Sequence, residues 1–116
     1  MTLPQRPNQP MEQRAWDAQV TGLGRRTSFE MEMRIRDAQA TERRINLKRR
    51  DDPVDSLVIL IADTTANRRI LNENPRLFPG LTRLQFAVLT KILRAGQHPP
   101  DALVFVPRRT RAQRPG

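Results

Sequence analysis

The chain has 116 residues, enough for one ordinary domain core and too few for two. It carries 21 lysines and arginines against 12 aspartates and glutamates, a formal net charge of +9, and 19 of the 21 cations are arginine. Such an excess points to a polyanion, nucleic acid first, while the lack of cysteine excludes disulfide frameworks and thiolate metal sites. No stretch is apolar enough for a membrane span or a signal peptide, so a cytoplasmic protein without membrane attachment is expected.

Residues 1–12 carry three prolines and no hydrophobic period and read as a disordered lead-in to a single domain over 13–106. "RAWDAQV" (14–20) and "TSFEMEMRI" (27–35) alternate with period two around "TGLGRR", which predicts an antiparallel hairpin. "DAQATERRINLKRRDD" (37–52) predicts a helix that stops at Pro53, with Arg36, Arg43 and Arg50 in one basic stripe. "SLVILIAD" (56–63) is an unbroken apolar run, the mark of a strand buried on both faces and parallel to a neighbour. "TTANRRILNEN" predicts a short helix capped by Thr64 or Thr65. "LTRLQFAVLTKILRAG" predicts a helix over 81–95 with Leu81, Leu84, Val88 and Ile92 on its inner stripe and Gly96 at its end. "ALVFV" (102–106) closes the set as a strand, and 107–116 form a basic tail. This order makes an α/β domain with a mixed sheet.

The separation between the last two helices is longer than a helix-turn-helix allows, so they read as scaffold. The apolar strand ending in Asp63 has the look of a nucleotide-binding strand, but no phosphate loop accompanies it. Asp63 and Asn67 are ligand candidates because they follow a buried strand's carboxyl end, and Arg68 and Arg69 either reach phosphate from there or coat the helix.

The hairpin carries the sharper expectation. If Trp16, Ala18 and Val20 share a core face with Phe29, Met31, Met33 and Ile35, then Asp17 lies with Glu30 and Glu32 on the opposite face. A symmetric turn pairs Val20 with Thr27 and sets Asp17 against Glu30. Facing carboxylates repel unless a cation lies between them, and all-oxygen donors favour Mg²⁺ or Mn²⁺. The alternative is an ordinary ion-paired face in which Arg14, Arg34 or Arg36 neutralise the acids.

Asp17, then Glu30-Met31-Glu32 after a turn, then a helix and a buried strand resembles the PD-(D/E)XK nuclease core. The resemblance implies a restriction-endonuclease-like fold and Mg²⁺-dependent phosphodiester hydrolysis. Asp17 and Glu30 would hold the metal, with Glu32 at the water-activating position where lysine is usual. Gln39 would sit near the substrate, and Arg34, Arg36, Arg43 and Arg44 would grip DNA phosphates. Glutamate in the lysine position also fits a degenerate relative. A longer stretch, from "RAWDAQV" through "IADTTANRR", is similar to the C-terminal region of actinobacterial Xre-type helix-turn-helix proteins. That similarity implies a bacterial protein tied to DNA, in a stand-alone or truncated copy without the DNA-reading domain. Two readings stay open: a metal-dependent nuclease, and a non-catalytic DNA-associated or dimerisation module, with a homodimer possible in either.

Overall fold

The computed structural model describes residues 16–108, so the expected lead-in, Arg14 and all but the first two residues of the basic tail lie outside the described residues. The mixed α/β architecture expected from the sequence is present. Strand β1 (Ala18–Gly22) and strand β2 (Arg25–Glu32) form the hairpin, followed by helix α1 (Ala38–Asp51) and strand β3 (Ser56–Ala62). Helix α2 (Thr65–Glu73), a two-residue strand β4 (Thr82–Arg83), helix α3 (Phe86–Arg94) and strand β5 (Ala102–Val106) complete the chain. The sheet order is β1-β2-β3-β5-β4; β1 is antiparallel to β2 and every other neighbouring pair is parallel.

The local chemistry accounts for the breaks. Leu23 and Gly24 both adopt positive φ (55° and 71°), the conformation a two-residue hairpin turn needs to match the twist of its strands. The register is the expected one, Val20 opposite Thr27. Asp37 caps α1 by accepting a bond from the Ala40 amide at 3.0 Å, and Thr64 caps α2 through the Asn67 amide at 3.0 Å. α3 ends in a Schellman turn on Gly96 (φ 75°), with Gly96 N–H bonding Leu93 O and Gln97 N–H bonding Ile92 O.

Two expectations need correction. The helix read over 81–95 begins at Phe86, because Thr82–Arg83 pair with Ala102–Leu103 as an added edge strand. Its inner positions are Leu89 and Leu93, packed with Leu84, while Val88 is exposed. The hairpin faces also differ from the reading of one core side and one wet side. β2 has a strand on each side; α1 covers its front face, which takes the acids into one interior, while a second interior at the back takes Phe29 and leaves Met31 exposed.

Those interiors sit on opposite sides of the sheet. Leu57, Ile59, Ile61 and Leu103 pack with Ile45 of α1 and Leu71 of α2 on the front face, and Phe29, Val58 and Val104 pack with Leu89 of α3 on the back. Glu30 and Glu32 point to the front, under α1, and are buried at 2% and 8% exposure. Met31 and Met33, expected in the core, are 39% and 67% exposed. Ala18 and Val20 are exposed too, and the chain bends at Asp17 so that Trp16 joins the front cluster instead of following Ala18.

Candidate functional site

The front face of β2 buries two acids because α1 supplies two bases. The buried stripe of α1 runs Ala38, Thr41, Ile45, Lys48, positions that share one helix face. Lys48 is 3% exposed in its side chain, ion-paired to Glu30 Oε2, with its ammonium 5.8 Å from the centre of the Trp16 ring. Arg44, one turn earlier, bonds Glu30 Oε2 at 3.0 Å and Glu32 Oε2 at 2.5 Å. Burial, the largest single influence on Arg44, disfavours its charge; the hydrogen bonds and charges of Glu32 and then Glu30 outweigh it and raise its pKa above the ordinary value. Two carboxylates and two cations leave the cluster close to neutral.

Asp17 does not join them. Its Oδ2 accepts the Met31 amide at 2.7 Å, continuing the β1–β2 ladder where the β1 backbone bends away. Gln39 lies on the exposed side of the first turn of α1, in a shallow cleft with Glu42, Glu73 and Arg76, away from Glu30 and Glu32. The four residues given catalytic roles thus fall into three separate settings.

The fit of a divalent ion can be tested on the donors themselves. Glu30 Oε1 is buried with no hydrogen-bond partner. Beside it, Oε2 already holds an ammonium and a guanidinium, so adding two positive charges would drive Lys48 or Arg44 out. Among the described residues, no three His, Cys, Asp or Glu side chains are grouped to hold a metal. The donor set does not fit Mg²⁺.

A different constellation lies at the carboxyl ends of the four parallel strands. Arg34 and Arg36 follow β2, Arg68 and Arg69 stand in α2 after β3, Arg83 ends β4 and Arg108 follows β5. Arg34, Arg36 and Arg69 line one cleft of about 270 Å³, with Ile35, Ala66 and Ile70 as its floor. None of these three has an ion pair or side-chain hydrogen bond among the described residues. Arg43, also proposed as a phosphate grip, sits on the exposed side of α1 and does not line this cleft.

Asn67 holds the cleft together. Fully buried, it accepts the Ile35 amide at 2.9 Å and donates to Met33 O and Ala62 O, both at 2.9 Å, tying the Arg34–Arg36 loop to β3 and to α2. At the opposite edge of the sheet the cations are matched: Arg26 with Asp52 at 2.5 Å, Arg49 with Asp101 at 3.1 Å.

Sequence reading gave Lys48 no role, and left Arg68 and Arg69 between a phosphate contact beside Asp63 and a mere coat of the helix. Lys48 was legible as the lone cation on the stripe Ala38, Thr41, Ile45; placing Arg69 beside Arg34 and Arg36 required knowing that α2 follows a strand parallel to β2.

Comparison of the chain with protein-family models, with curated proteins and with solved structures finds no match. No helix among the described residues is long and apolar enough to cross a membrane.

Proposed function

We propose that this is a non-catalytic DNA-associated module that holds the phosphate backbone along the carboxyl edge of its parallel sheet. The observation that carries the reading is the cleft of Arg34, Arg36 and Arg69, three guanidiniums on one cleft with no acid answering them among the described residues. Unpaired arginines at close spacing repel one another, and a phosphate is the partner their planar forks fit best. The overall charge of +9 supports the same choice of partner by raising long-range attraction. On this reading Glu30, Glu32, Arg44 and Lys48 form a buried framework under α1 and Asp17 closes the hairpin.

The test is fluorescence anisotropy of a labelled duplex over a series of salt concentrations. Wild-type protein should bind with a strong salt dependence. The triple variant Arg34→Ala/Arg36→Ala/Arg69→Ala should flatten the slope of log K against log salt by up to about 3, near 0.9 for each phosphate no longer neutralised. An unchanged slope would refute the assignment. The metal-dependent nuclease reading is checked in the same preparation with Mg²⁺ and plasmid DNA; cleavage that disappears in Glu30→Ala would replace the binding reading by the catalytic one.

A further inference from the structure

On the other side of α2 a second cleft, of about 520 Å³, opens among Asp63, Arg68, Arg83, Gln85, Phe86 and Phe105. Its place follows from the chain path. β3 passes the chain to α2 on the front face, β4 passes it to α3 on the back, and β5 lies between them. Where successive connections leave a parallel sheet to opposite faces, a crevice forms at the carboxyl ends of the strands, and small ligands bind in such crevices. The volume is within the range of small-molecule sites, roughly 300 to 1,000 Å³.

The lining is specific in charge and shape. The Arg68 guanidinium carbon lies 4.3 Å, and that of Arg83 5.6 Å, from the centre of the Phe105 ring. Arg68 is fixed by Asp63, which accepts its Nε at 2.5 Å and its Nη2 at 3.0 Å. These bonds hold the Asp63 carboxyl below its ordinary pKa. The Arg83 side chain has the ring contact but no hydrogen bond or ion pair among the described residues. A guanidinium over a ring keeps its N–H edge open, and that edge grips oxyanions. Two arginines and one aspartate leave the cleft one positive charge, suited to one phosphate rather than several. Phe86, at the cleft wall, is 38% exposed, an apolar ring with a free face.

We propose that this cleft binds a nucleoside monophosphate, with the phosphate on Arg83 and the base against Phe86. The site is separate from the Arg34–Arg36–Arg69 cleft and does not depend on the DNA reading. Titration calorimetry of the full chain with AMP, adenosine and inorganic phosphate tests it. AMP should bind one site, and adenosine and phosphate alone should each bind at least about tenfold more weakly, since a charge-assisted contact carries about that factor. Arg83→Ala should weaken AMP by a similar factor, and Arg34→Ala/Arg69→Ala should leave it unchanged. In backbone amide spectra of the wild type, AMP should shift Asp63, Gln85 and Phe86. Absence of AMP binding, binding undiminished in Arg83→Ala, phosphate binding as tightly as AMP, or shifts confined to the Arg34–Arg36 loop would each overturn the proposal.

Discussion

Under α1, every charge has an answer: Glu30 meets Lys48 and Arg44, Glu32 meets Arg44, and Arg49 at the far end of the helix meets Asp101. At the carboxyl edge of the same sheet, Arg34, Arg36, Arg69 and Arg83 stand without acids among the described residues. Burial explains the first region, because an ion taken out of water is tolerated only when paired. No comparable stabilisation follows from placing several like charges along one edge. The difference separates residues that hold the fold from residues available to a ligand, and it moves the functional reading from the acids to the arginines.

The comparison breaks most visibly at Lys48. Lys48→Met should destabilise the domain by about 3 to 5 kcal/mol, since it leaves Glu30 buried and short of a partner. Urea unfolding measures the loss, and Glu30→Leu/Lys48→Leu should recover most of it, because a matched pair of apolar side chains leaves no charge stranded. Asn67→Ala comes next. It strands the buried Ile35 amide and takes one donor from the carbonyls of Met33 and Ala62, the latter keeping the Thr64 amide, which costs about 2 kcal/mol by the usual penalty for a buried unpaired group. The same change should weaken DNA binding, because Asn67 sets the Arg34–Arg36 loop against α2.

Smaller effects sharpen the contrast. The triple arginine variant that flattens the salt dependence should leave the unfolding free energy within about 0.5 kcal/mol of wild type, as exposed substitutions do. Leu23→Asn should raise stability by about 1 kcal/mol, because leucine is strained at φ 55° and asparagine tolerates it. Thermal unfolding followed by circular dichroism resolves that gain.

Much of the fold was legible because local signals agreed. Asp37, Thr64 and Gly96 mark helix ends where the sequence placed them, and the apolar run 56–62 is the central parallel strand. The hairpin register was also readable, on the condition of a symmetric turn, and the two-residue turn at Leu23 and Gly24 meets it. What period two did not reveal was which face of β2 is wet. That depends on α1 returning over the sheet with Lys48 and Arg44 in reach, a tertiary fact that turns an apparently polar face into an interior one. β4 escaped for a related reason: two residues have no period, and only Ala102 and Leu103 beside them make them a strand. The candidate acids were singled out by type and spacing, but their partners sit 12 to 18 positions away, beyond any local pattern.

The most direct measurement is an amide spectrum of the full chain titrated first with Mg²⁺ and then with a short duplex. Duplex should shift the amides of Arg34, Arg36 and Arg69, while Mg²⁺ alone leaves Asp17, Glu30 and Glu32 in place. Mg²⁺-dependent shifts centred on Glu30 and Glu32, with the Arg34–Arg36 loop unmoved by duplex, would contradict the account.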